Sequence, residues 1–379
     1  MIFGKRTPTA SELRRRNLDN ALPVGVRIAG AWSWRILVIV GVIAVIIFLI
    51  VQLRLIVIPL MVSTLLAALL VPFVQFLQRH RWPKWLAVAL AEVGLIGVLT
   101  GLVVVIVAQI RVGFPNLQQQ TVIAWDQFKR FLLESPLHLT DTQITQYGDQ
   151  LWQSIQRDNQ VWISGALSVG SSAGHFLAGL LLTLFTTLFI LIDGTGIWNW
   201  IVRLFPRTAR AAVDGSGRAG WVTLTNFVRV QIFVAAIDAV GIGVGALILG
   251  LPLAIPIAIA VFLGSFIPIV GAVLTGALAV FVALIYKDLV IALIMLAIVL
   301  VVQQVEGHVL QPLVMGSAVK VHPIAVVFAV AAGGFLAGIP GALFAVPVVA
   351  TVNVMIHYIA RGEWRTNPNP DLEDVLHDV

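Results

Sequence analysis

Two acids stand in sequence that is otherwise apolar: Asp238 in "FVAAIDAVGIG" and Glu306 in "VVQQVEGHVLQP". An ionised carboxylate inside a membrane is costly unless it is paired, hydrated or functional. The chemistry this residue type performs there is reversible binding of a proton or a cation. Gln303, Gln304 and His308 lie beside Glu306 and suit such a site. Glu306 fits equally a helix-end acid that reaches water. Asp238 lies deeper in its run, and fits either a proton or ion site or a structural pair with Arg229. Glu92 reads as an acid near the cytoplasmic end of its apolar run. Asp193, in "LIDGTG", reads as the end of another run at the interface. His322, before Pro323, reads as a helix cap.

Catalytic arrangements are weaker. "GSSAG" (170–174) matches G-x-S-x-G, with His175 adjacent. That chemistry needs its serine on a strand-to-helix turn and a base brought in from elsewhere. No strand is expected here, and an adjacent residue points away on a helix, so small residues packing between helices is the better reading. Asp193 and Asp238 as an aspartyl dyad would make an intramembrane protease, which needs both acids at one depth. There is no H-E-x-x-H and no phosphate-binding loop, which argues against an ATP-driven pump. No cofactor is expected. The absence of cysteine excludes disulfides and thiolate metal sites.

The elements that carry these acids must sit in a membrane. Of 379 residues, 59% are hydrophobic and only 11% charged, with mean hydropathy +0.98. A soluble domain of this size needs more charge to wet its surface. Long continuous apolar runs predict an all-α, polytopic helix bundle rather than a barrel. The net charge of +6 comes from basic residues beside the apolar runs, which is a topology signal and not a nucleic-acid surface.

Residues 1–35 form a basic cytoplasmic segment. Three spans occupy 36–110, the first two joined tightly at Arg54 as a hairpin. Residues 111–160 are polar, with apolar residues at helical spacing, and predict an extracytoplasmic amphipathic insert of two helices. A fourth span and an Arg-rich cytoplasmic linker take up 161–220. Residues 221–358 form a core of two units, each a span followed by a broken segment. A polar tail, 359–379, ends the chain in the cytoplasm.

The broken segments, 252–286 and 322–358, have about 35 residues each, where a span needs about 20. Each has breakers near its middle: Pro268 and Gly271 in "FIPIVGAVLTG", and Gly338, Pro340 and Gly341 in "GGFLAGIPGALFAVPVVA". Two half helices meeting at mid-membrane satisfy this pattern, provided the freed backbone groups face protein or a watery cavity. Half-helix ends carry partial charge and make solute or ion sites. The two units would then be inverted relative to each other. Long kinked spans are the alternative.

Those two motifs, with "QQVEGHVLQPLVMGSAVKVHP" (303–323), resemble the autoinducer-2 exporter family of bacterial membrane transporters over most of the chain. The resemblance implies an inner-membrane protein that moves small solutes. Some members export a signalling molecule, and others are linked to sodium–proton exchange. It also implies a homo-oligomer, a pentamer. Ala272 is a departure, since many members have Pro after the glycine. The expectation is a secondary transporter or exporter of a small solute, in the lipid bilayer, coupled to protons or sodium. Its route would pass Pro268, Gly271, Gln303, Gln304, Glu306, His308, Gly338, Pro340 and Gly341, and its ion or proton would bind at Glu306 or Asp238. Neither nucleic acid nor metal is involved. An intramembrane protease and a passive channel are the rival classes.

Overall fold

A computed structural model describes residues 23–134, 174, 177–267, 270–308, 310 and 323–371. The described residues are overwhelmingly helical and contain no strand. Seven helices among them are long and apolar enough to cross a bilayer. The chain divides into two units, Met1–Val57 and Ile58–Val379.

The first unit holds helix α1, Val24–Gln52. It is apolar on every side, and none of its most apolar window is buried within the chain. Such a helix must be covered by lipid or another surface. Leu53 alone separates it from α2, Arg54–Arg79.

In the second unit, α2 ends in a tight reversal. Trp82 N–H reaches Leu77 O at 3.2 Å, and Arg81 takes the left-handed conformation (φ 65°). This six-to-one closure is the usual way to use up the last carbonyls of a helix, though glycine is the usual residue there. Helix α3, Lys84–Glu134, follows as one piece. The sequence predicted a span ending at 110 and then separate helices. The backbone instead runs on through Pro115 to Glu134, and the rest of the predicted insert, 135–160, lies outside the described residues. Leu70, Val74, Ala87, Val88 and Ala91 of α2 and α3 form a small core with Leu191 of α4, Leu177–Arg203.

Helix α5, Arg210–Ile248, starts much earlier than the span predicted at 221–250. Residue 210 supplies the reason. Arg210 donates to Arg203 O at 2.8 Å and to Phe205 O at 3.0 Å, so the end of α4 is capped from the start of α5 and six residues make the turn. Asp193 does not end α4 as predicted. The helix passes through it to Arg203, and its carboxylate takes the Gly196 N–H at 3.1 Å.

The first broken segment is two helices, α6 (Ala254–Gly264) and α7 (Val270–Tyr286). They pack on each other. A Cβ on Gly271 would lie 1.7 Å from Gly264 O. In a continuous helix those residues would be about 10 Å apart, so the chain doubles back between them. Helix α8, Leu289–Val305, follows, with Asp288 accepting the Ile291 N–H at 2.8 Å as its N-cap. Helix α9, Pro323–Arg361, is the second broken segment. Ala337 (φ −140°, ψ 18°) and Gly338 (φ 63°, ψ −146°) leave helical geometry. Gly338 occupies a region open essentially only to glycine.

The main core joins α5, α6, α7 and α8 through Ile242, Ala246, Ile257, Val261, Val282 and Met295. Three glycines of α5 set the spacing. A Cβ on Gly241 or Gly245 would meet Val302 or Ile298 of α8 at under 3 Å, and one on Gly243 would meet Ala258 of α6 at 2.7 Å. Small residues let helix backbones approach this closely, which is how membrane helices associate without a hydrophobic drive.

Candidate functional site

Asp238 lies in the last third of α5 and is 2% exposed. Its Oδ2 is 3.2 Å from Ser265 Oγ, the first residue after α6. Its Oδ1 is buried and has no hydrogen-bond partner. Ser265 Oγ also lies 2.8 Å from Val261 O. Two turns earlier on the same face of α5, Gln231 Nε2 donates to Ser265 O at 2.7 Å. Ser265, at the start of the first break, is thus held to α5 at both its side chain and its backbone. A buried carboxylate oxygen left without a donor is costly, and the arrangement suits reversible uptake of a proton or cation.

The structural pair proposed between Asp238 and Arg229 is not formed. Nine residues along a helix turn the two side chains to opposite sides, about 13 Å apart along the axis. Arg229 is exposed, and the ion pairs Arg218–Asp214 at 3.2 Å and Arg361–Glu363 at 3.8 Å involve neither residue.

Glu306 caps α8, where a π-helical turn begins. Such turns are frequent at functional sites. The contacts of Gly245 with Ile298 and Gly241 with Val302 set an antiparallel register. Carried one turn further, it puts Asp238 about level with Val305 and Glu306. Two acids 68 residues apart therefore share a depth. Gln303 is half-buried beside them, while Gln304 and His308 line a shallow apolar depression with Leu300, Val301 and Val305. His308 Nδ1 is 3.3 Å from Gln304 O.

Gly271 forms one side of the first reversal, as described. In the second, a Cβ on Gly341 would lie 2.0 Å from Gly333 O, and Gly338 carries the break itself. Pro340 is half-buried in the turn that follows. The breakers therefore belong to two helical reversals, and Asp238 and Gln231 meet the first at Ser265. Pro268, His322, Ser172 and His175 lie outside the described residues. Glu92 is buried in the first turns of α3, beside the core that α3 shares with α2.

Reading the sequence missed Ser265 and Gln231. A signal existed for each: Gln231 precedes Asp238 by seven residues, a helical repeat, and Ser265 directly precedes the Pro-containing break. The imagined dyad is not supported, because Asp193 bonds along its own helix and Asp238 bonds to Ser265.

Seven long apolar helices among the described residues define a multi-pass membrane protein. The chain belongs to the AI-2E family of transporters, whose model, described as AI-2E family transporter, matches residues 36–361. A protein of Mycobacterium tuberculosis, provisionally named transport protein MT0215, is 40% identical over 353 residues, 93% of this chain and 95% of that one. Bacillus subtilis YrrI, also provisionally named a transport protein, is 24% identical over 80% of this chain and 86% of its own. The AI-2 transport protein TqsA of Escherichia coli is 21% identical over 81% of this chain and 87% of its own. These names are those of transporters rather than enzymes.

Proposed function

We propose that this chain is a secondary transporter of a small solute in the bacterial inner membrane, working as an exporter with both termini in the cytoplasm. The observation that carries this reading is the meeting of Ser265, at the first helical reversal, with the buried Asp238. A half helix that ends at an ionisable group inside the bilayer is what a coupled carrier needs, since binding there can be tied to movement of the helix end. The solute route runs along the two reversals, past Pro268, Gly271, Gln303, Gln304, Glu306, His308, Gly338, Pro340 and Gly341. Both broken segments are re-entrant, each returning to the membrane face it left. The transporter works as a homo-oligomer, and a proton or sodium gradient drives it through Asp238 or Glu306.

The name of TqsA makes autoinducer-2 the first solute to try. Purified chain in vesicles, with proton or sodium gradients imposed, should accumulate autoinducer-2 or another small polar solute against its concentration. Equilibration at the same rate whatever the gradient would make it a passive channel. No flux across a broad solute panel would overturn the reading.

A further inference from the structure

The two oxygens of the Asp238 carboxyl have one hydrogen within reach, that of the Ser265 hydroxyl, while Val261 O already accepts the Ser265 N–H at 2.9 Å. Asp238 Oδ1 has no donor, and Asp238 Oδ2 lies within reach of a single one, Ser265 Oγ. A hydroxyl donates once, and Ser265 Oγ lies closer to Val261 O, at 2.8 Å, than to the carboxyl, at 3.2 Å. Asp238 also stands at the C-terminal end of α6, where the last carbonyls carry partial negative charge. A bare carboxylate is disfavoured on each count. One added proton resolves them together. Oδ2–H then donates to Ser265 Oγ, whose own hydrogen goes to Val261 O, and Oδ1 becomes the carbonyl of a neutral acid.

We infer that Asp238 is a proton-binding site, and that Ser265 is the residue through which the bound proton holds the first reversal against α5, beside the Gln231 bond that tethers the same residue in either state. Loss of the proton leaves an anion that must find water, so the Ser265–Asp238 contact parts. The Gln231 bond to Ser265 O keeps the backbone tethered meanwhile. By the register of α5 and α8, Glu306 is an acid at this level, and α3, which also packs on α6 and α7, carries Glu92, Arg111, Asp126, Lys129, Arg130 and Glu134. On α5, Arg229 faces away, and Arg210, Asp214 and Arg218 lie about 30 Å or more along the axis. α6 has no ionisable residue, and Tyr286 is at the far end of α7. His308 lies just beyond Glu306. His357, Tyr358 and Arg361 of α9 lie near the Gly215 end of α5. The use of this site in transport rests on the function proposed above, but the site itself does not.

Infrared spectroscopy of the full chain in lipid tests it. At neutral pH the wild type should show the C=O stretch of a protonated carboxyl. Asp238→Asn, which keeps the shape and one donor, should lose that band. Ser265→Ala should retain it, moved to higher frequency by loss of a hydrogen-bonding partner. Identical carboxyl bands in wild type and Asp238→Asn would overturn the proposal. So would a band that Ser265→Ala leaves in place. A wild-type band that disappears when sodium replaces choline at constant pH would assign the site to a metal cation instead. If Asp238→Asn fails to fold, the wild-type band and its Ser265→Ala shift decide. A protein with this band but no solute flux would keep the proton site and lose the transporter reading.

Discussion

Gly333 and Gly341 face each other across the second reversal, backbone against backbone: a Cβ on Gly333 would lie 2.2 Å from Gly341 O, and one on Gly341 would lie 2.0 Å from Gly333 O. One residue away the contact relaxes, and a Cβ on Gly334 would lie 4.0 Å from Ala342 Cβ. Gly333→Ala should therefore destabilise the folded protein by about 1–3 kcal/mol, because only backbone can yield. Gly334→Ala should be neutral within about 0.5 kcal/mol. Thermal unfolding of both variants in one detergent checks this. Equal melting temperatures would refute the close approach.

Glu306→Gln keeps size and hydrogen bonding but removes the charge. If Glu306 takes part in coupling, gradient-driven uptake should fall at least tenfold with the oligomer intact. Undiminished uptake would reduce Glu306 to the helix-end acid of α8.

Membrane sidedness distinguishes re-entrant segments from full spans. The sequence has no cysteine, so single cysteines can be placed at Lys287 and Lys320. With re-entrant segments and a cytoplasmic start, an impermeant thiol reagent on spheroplasts should label position 287 and spare 320. The reverse pattern would mean two kinked spans and a parallel repeat.

The tip of the second reversal is bare within one chain: Phe335 is 94% exposed and Ile339 75%. With α1, these faces need covering. Native mass spectrometry from nanodiscs should find a homo-oligomer, and a single mass of one chain in every lipid tested would refute it.

The breaks were legible because glycine and proline announce them directly, and the long spans because apolar runs do. Asp238 was legible as a misplaced charge. Its partners were not, because the bonds to Ser265 cross 27 and 34 residues and depend on how α6 returns to α5. The start of α5 was misplaced because "RTARAAVDGSGRAG" reads as a polar linker. Residues of that stretch are bound by tertiary contacts that composition does not encode. Asp214 accepts Trp198 Nε1 at 2.9 Å, and Tyr358 packs against Gly215. Asp193 misled for the converse reason: "DGTG" is turn-like in composition, yet the helix runs through it.

The glycine seats of α5 act as a two-toothed key. Val302 is seated at Gly241 and Ile298 at Gly245. Slide α8 one turn either way and one tooth still finds glycine while the other strikes Ile237 or Leu249. Ratcheting between these helices is thereby blocked, and α5 and α8 must travel as a single rigid strut. In a carrier that alternates between inward and outward states, as proposed above, the movement would then fall on the joints, at Gly264 and Gly271 and at Ala337–Gly338, with the strut as the frame against which they swing.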